Sequence, residues 1–321
     1  GHTRGGGYGL LARPLGLTAD NLLGLTLVDA HGRMVEVDAA REPDLFWACR
    51  GGGGGSFGIA TEFRFKLHPV TRVVTFKASW TLPLAAARDL FRAWQAWLPT
   101  VPVAMTPVLN IASVAPGRFA MRCVGQSLGS EREVRATLGR LTRAASGAGV
   151  TVTTRSFLGA VNYFSGGSAY PVVFMKAKSD YAIAPVSEDG AMAFLTALTR
   201  QPPGAVSVLC DAYGGIIGDL ADDATAFAHR KGTLYSVQYY ASWTGPAETA
   251  DGEDRRRQGD EGAEHGEPAH PEQGATVDAV AQDPQRAGGR EQADERQIGR
   301  DGQEAQAGSR GVRHLDLPKR F

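Results

Sequence analysis

The chain has 321 residues, 43 % of them hydrophobic, which gives enough apolar material for a sizeable core and excludes a disordered or fibrous protein. Lysine plus arginine and aspartate plus glutamate number 34 each, so the net charge is zero, and neither nucleic acid nor an anionic membrane is an expected partner. Cys49, Cys123 and Cys210 show neither disulfide nor zinc spacing, and no apolar run approaches the roughly 20 residues of a membrane span. Glycine is in excess: 41 residues, nearly twice the usual share of about 7 %.

In chain order, Leu22 to Val28 and Met34 to Val37 flank the turn cluster Asp29-Ala30-His31-Gly32 and predict a β-hairpin. Glu42-Pro43-Asp44 opens a short helix, Leu45 to Cys49, which Gly51 to Gly55 terminate. Phe57 to Leu67 then alternates Phe63, Phe65 and Leu67 with Glu62, Arg64 and Lys66, the pattern of a half-buried strand. A strand at Val73 to Leu82 precedes an amphipathic helix, Ala85 to Leu98, with Leu90, Phe91, Trp94, Trp97 and Leu98 on one side. Val108 to Val114 and Phe119 to Val124 form a hairpin around Pro116-Gly117, and Ser130-x-x-Glu133 is a capping box for a helix reaching about Ala145. Val172 to Ile183, Val206 to Tyr213 and Thr233 to Trp243 read as strands, with a helix at about Glu188 to Thr199. Hairpins interleaved with helices predict an α+β fold, an antiparallel sheet with helices on one face.

The composition shifts near Pro246. From Asp251 to His314 there is no Leu, Phe, Tyr, Trp or Met, so this stretch is expected to be disordered, and a short apolar coda, Leu315 to Phe321, follows. Residues 246–321 read either as a natural low-complexity tail or as out-of-frame translation of a GC-rich gene. The second is favoured because the preceding segment stops within a well-patterned strand region.

Two glycine clusters carry the functional signal: Gly5-Gly6-Gly7-Tyr8-Gly9 and Gly51 to Gly58. Residues without Cβ let backbone N–H groups approach a large polar ligand and form an anion nest; the alternative is a flexible loop. Gly53-x-Gly55-x-x-Gly58 matches the dinucleotide fingerprint as a string, but a helix precedes it and a strand follows, the reverse of the required context. No Gly-Lys-Ser/Thr completes a phosphate loop, so neither a nicotinamide Rossmann fold nor a nucleotide triphosphatase is expected.

The run from Gly1-His2-Thr3-Arg4 through Gly5 to Arg13, then Gly16 to Asn21, Asp44 to Arg50 and Phe57 to Thr61, resembles the berberine bridge enzyme-like FAD-linked oxidases, in the vanillyl-alcohol oxidase superfamily with its PCMH-type FAD domain. Phe174 to Tyr181, Asp211 to Gly215, Thr225 to Arg230 and Gln238 to Trp243 are similar to the same family's substrate domain. The resemblance implies part of a PCMH-type FAD-binding domain over residues 1–70, an α+β substrate domain over 71–245, and FAD held between them. It implies that His2, Gly5, Gly6, Gly7, Tyr8, Gly9, Gly58, Ile59 and Ala60 contact the cofactor; taken alone, His2 reads as structural or incidental. The implied reaction passes hydride from an alcohol, a sugar-like hydroxyl or a secondary metabolite to flavin N5, with O2 as acceptor.

Asp211, Tyr213, Gln238 and Tyr240 are candidates for catalysis on the sheet over the flavin, and Gln238 and Tyr240 share a face by the two-residue period. They also fit as polar positions satisfied within an aromatic core. The family's covalent His and Cys anchors would precede Gly1, and its C-terminal flavin segment is not found, so any flavin retained by the chain is expected to be non-covalent. An inactive fragment that keeps only a metabolite-binding domain is the alternative. Lys176 and Lys178 are expected on a solvated strand face, and Cys49 as a buried small apolar residue.

Overall fold

Period-two alternation builds two antiparallel sheets in this protein, whose structure is a computed structural model describing residues 1–165, 174–201 and 206–243. The stretch Asp251 to His314, the coda Leu315 to Phe321 and Val172 lie outside these residues.

The first part comprises α1 (Ala12–Leu15), β1 (Leu22–Val28), β2 (Met34–Asp38), α2 (Pro43–Cys49) and β3 (Ile59–Phe65). The hairpin turn forms because the Asp29 carboxylate accepts from the backbone N–H of His31 at 2.8 Å and of Arg33 at 2.9 Å. Pro43 sits in the first turn of α2, where its missing N–H costs nothing, and the helix stops where the Gly52 N–H donates back to Ala48. The sheet order is β2-β1-β3, and Leu22, Leu25, Leu27 and Val37 pack on Phe46 and Cys49 of α2. Cys49 is a buried free thiol, as are Cys123 and Cys210.

The third strand departs from expectation. In place of half-burial, Ile59 is 72 % exposed and Phe63 38 %, and Leu67 lies beyond the strand end, 87 % exposed. Two register shifts against β1 interrupt the alternation, and β3 is an edge strand, so only Ala60 and Phe65 reach the apolar cluster.

The second part runs β4 (Arg72–Pro83), α3 (Leu84–Trp97), β5 (Met105–Ala115), β6 (Arg118–Ser127), α4 (Glu131–Thr142), β7 (Gly149–Ser156), α5 (Phe157–Ser165), β8 (Phe174–Ala182), α6 (Glu188–Thr199), β9 (Val206–Ala212), α7 (Ile216–Asp219) and β10 (Tyr235–Trp243). Its strands pair in the order β7-β4-β6-β5-β9-β10-β8, every pair antiparallel. Phe76, Ala78 and Trp80 of β4, Leu109 and Ile111 of β5, Met121 and Cys123 of β6 and Val208 and Cys210 of β9 join α3, α4 and α6 in one core. Trp94 of α3 is fully buried, edge-on to Tyr235 at 5.3 Å; truncation there would cost about 3–5 kcal/mol. The capping box starts α4 as expected: the Ser130 N–H donates to Glu133 Oε2 at 2.7 Å and the Glu133 N–H to Ser130 Oγ at 3.3 Å.

A third cluster, Ala12, Leu17, Tyr213, Ile217 and Phe227, joins the first part to the end of the larger sheet. Beside it Arg230 donates to Asp20 Oδ1 at 2.6 Å, with both side chains essentially out of solvent.

Candidate functional site

The Gly5–Gly9 segment is anchored through its carbonyls. Those of Gly6, Gly7 and Gly9 accept from the N–H groups of Ala19, Thr18 and Ala12, each at 2.9 Å. Gly6 and Gly7 have φ of 105° and 81°, and a Cβ on either would come within 2.6 Å of Phe227 or Thr18, so close protein packing requires both glycines. Gly5 and Gly9 have nothing within 4 Å of a Cβ position and face open space. His2 Nε2 lies 3.3 Å from Thr18 Oγ1, and burial lowers its pKa. Tyr8 turns toward the larger sheet: its hydroxyl donates to the Ala212 carbonyl at 2.9 Å and its ring stacks on Tyr213 at 5.5 Å.

The Gly51–Gly58 segment divides in the same way. A Cβ on Gly51 would meet the Phe227 backbone at 2.3 Å and one on Gly58 the Val28 carbonyl at 2.5 Å, whereas Gly53 and Gly55 have open surroundings. Phe227 thus presses on both glycine segments, through Gly6 and Gly51. Arg4 ties the second segment down: its carbonyl accepts from Gly51 and Gly53, and its Nη1 donates to the Gly58 carbonyl at 2.8 Å. Beyond Gly58, Ile59 is exposed while Ala60 packs inward against the β1 cluster.

On β10, Tyr235, Val237, Tyr239 and Ala241 pack on the core, so Ser236, Gln238 and Tyr240 lie on the opposite face of the sheet. Gln238 is level with Leu209 and Ser179, Tyr240 with Ser207 and Ala177, and Ser236 with Asp211 and Tyr181. The Tyr240 hydroxyl points at Met175 Sδ, 3.4 Å away. The Asp211 carboxylate accepts from Ser236 Oγ at 3.2 Å, and burial pushes its pKa up to about 6 against the partial relief of that bond.

Gln238, Tyr240 and Asp211 therefore share one face, as alternation requires. Tyr213 adjoins them at the strand end, where its ring meets Tyr181, level with Ser236 on that face, at 5.6 Å. It follows the strand end, buried between Tyr8, Tyr181 and Phe227, and burial raises its phenol pKa. Tyr181, Phe227, His229 and Arg4 lie within the runs that carry the family resemblance but had no individual site role in the sequence reading. His229 stacks on Tyr181 at 3.6 Å with an interplanar angle of 12°. Its signal was available in the Phe227-Ala228-His229-Arg230 run; Arg4 gave only a charged residue beside a glycine run with no acid near it in sequence.

No family model matches the chain. It is 32 % identical over 252 residues to the FAD-linked oxidoreductase YgaK of Bacillus subtilis, an alignment covering 77 % of this chain and 55 % of that protein. It is also 32 % identical over 269 residues to berberine bridge enzyme-like D-1 of Nicotiana tabacum, with 76 % and 46 % covered. Among solved structures, BBE-like 1 of Physcomitrella patens superposes with a TM-score of 0.73 at 27 % identity, over 82 % of this chain and 59 % of that one. A chitooligosaccharide oxidase superposes with a TM-score of 0.71 at 24 % identity over 84 % and 59 %, a likeness of fold. The chain spans about half the length of the curated relatives it matches.

Proposed function

We propose, for a chain that over about three quarters of its length belongs to the berberine bridge enzyme-like FAD-linked oxidoreductases, that its glycine segments and the open face of its larger sheet form two walls of an FAD site in which a hydroxyl-bearing small molecule is oxidised. The residues present fit the cofactor. Gly5, Gly9, Gly53 and Gly55 leave open space where any side chain would intrude, and the N–H groups of Gly9 and Gly55, which make no backbone bond among the described residues, can meet a large polar ligand. His2, Gly6, Gly7, Tyr8, Gly58, Ile59 and Ala60 complete the set assigned to the cofactor, with Gly6, Gly7, Gly58 and Ala60 acting through the protein packing that shapes the loops. When bound, FAD would supply a hydride acceptor that O2 can reoxidise.

The substrate falls to the sheet. The Gln238 amide can donate to and accept from a hydroxyl, and the Tyr240 phenol can do either, so together they fix its orientation. Asp211, enclosed on the same face, accepts a proton above about pH 6 and holds one below it. Tyr213 supports Tyr8 from within the aromatic cluster and positions it.

One observation carries this reading: the register that sets Gln238, Tyr240 and Asp211 on one face, with the Gly5–Gly9 segment pinned to the end of that sheet by the Tyr8–Ala212 bond. Peroxide release by the full-length gene product, assayed over oligosaccharides and simple alcohols, identifies the substrate. Gln238→Ala and Tyr240→Phe should then keep full flavin content but slow anaerobic flavin reduction by about tenfold to a thousandfold. Unchanged reduction in both would remove this strand from the site.

A further inference from the structure

The open face of the larger sheet continues well past Gln238 and Tyr240. Phe76, Ala78 and Trp80 of β4 and Met121 and Cys123 of β6 face the core, so Lys77 and Arg122 lie on the same side as Asp211, Gln238 and Tyr240. The register carries two levels across the sheet. Lys77 is level with Asp211 by way of Val124 and Val108, and Arg122 is level with Gln238 by way of Asn110 and Leu209. At about 4.8 Å between neighbouring strands, β10 lies about 14 Å from β6 and about 19 Å from β4.

The chemistry of the face changes along these levels. At the β4–β6 end, Lys77, Ser79, Thr81, Ala120 and Arg122 line an open groove of about 540 Å³, which receives two cations and no acid. Lys77 and Arg122 are diagonal neighbours on adjacent strands, within reach of each other's charge, and neither has an ion pair or a side-chain hydrogen bond among the described residues. In the middle the levels are apolar at Val124, Val108 and Leu209, with Asn110 among them. At the β9–β10 end stand the Gln238 amide, the Tyr240 phenol and Asp211, which is the one carboxylate on these two levels among the described residues.

We propose that Lys77 and Arg122 hold the carboxylate of an elongated hydroxycarboxylate substrate, whose apolar middle lies along this face and whose hydroxyl reaches Gln238 and Tyr240. A guanidinium fork and an ammonium together can meet both oxygens of a carboxylate, and the bound anion relieves the repulsion between the two cations. Asp211 sets the direction, since its charge disfavours a carboxylate at the hydroxyl end. Lys77 and Arg122 determine specificity and touch no reacting atom. The hydroxyl end rests on the reading above; the carboxylate end rests on the groove.

Calorimetric titration of the chain with ω-hydroxydodecanoate, whose extended length matches this span, and with the uncharged dodecanediol of equal length tests it. The acid should bind at least about tenfold more tightly than the diol, and only the acid should bind more weakly as salt rises. Combining Lys77→Gln with Arg122→Gln should remove the preference, and Arg122→Lys, which keeps the charge without the fork, should retain part of it. Absence of acid binding, equal affinities for acid and diol, or a preference that persists in the double variant would overturn the proposal. If the double variant does not fold, the salt series decides: acid binding that does not weaken with salt contradicts it. In the full-length gene product, Arg122→Gln should raise the half-saturating concentration of the acid and leave the limiting rate of anaerobic flavin reduction unchanged. Acid binding that depends on both cations without any flavin reduction would sink the hydroxyl-oxidation reading and leave the carboxylate site standing; reduction by acid and diol alike, indifferent to both cations, would do the reverse.

Discussion

Asp20 and Asp211 are both enclosed carboxylates with opposite surroundings. Asp20 accepts from Arg230 at 2.6 Å and from the Leu17 N–H at 2.8 Å. Removing it by Asp20→Ala leaves a guanidinium buried without its counter-charge, and urea denaturation should register a loss of about 3–5 kcal/mol, whereas the double change Asp20→Leu with Arg230→Met should cost much less. Asp211 has only the Ser236 hydroxyl, and burial raises its pKa from 3.8 to about 6. The folded protein therefore binds this proton more tightly than the unfolded chain. The associated stability is complete below about pH 4 and is lost as the pH rises through about 6, on the order of 3 kcal/mol in all. Asp211→Asn does not titrate, so its stability relative to wild type should improve between pH 4 and 8. A difference that stays constant with pH would mean that the carboxyl is solvated.

Elements whose signals are local were legible in the sequence. Ser130 and Glu133 announced α4, the Asp29 turn announced the first hairpin, and the alternation of Gln238 and Tyr240 with Val237 and Tyr239 assigned their faces correctly. The edge position and bulges of β3 were not legible, because they depend on which neighbour β1 accepts. Strand β7 and helix α5 went unread: Gly149 to Ser156 carries threonines on both faces, and burial there comes from pairing with β4. The glycine segments were found for a reason that is only partly theirs. Gly6 and Gly51 are crowded by Phe227, more than 170 positions away in sequence, a contact no local pattern encodes. Gly51→Ala should therefore destabilise by well over the roughly 1 kcal/mol of a positive-φ alanine, while Gly53→Ala should cost about that amount alone; thermal denaturation separates them. Equal costs would mean that Phe227 yields freely.

At the scale of the molecule, a few polar contacts between distant residues hold the first part of the chain against the end of the larger sheet and the segment between α7 and β10. Tyr8 reaches Ala212, Trp47 reaches the Asp223 carbonyl at 2.6 Å, Arg50 the Ala224 carbonyl at 3.0 Å, and Asp20 pairs with Arg230. They fix the spacing between the two walls assigned to the cofactor, so the pairing of walls follows from tertiary contacts while each wall alone follows from sequence. Titrating a fixed amount of FAD with the purified chain and recording flavin fluorescence tests this account most directly. Saturable one-to-one quenching is expected, with the yellow colour released into the supernatant on acid precipitation; flavin fluorescence that stays unchanged at saturating protein would contradict the FAD site.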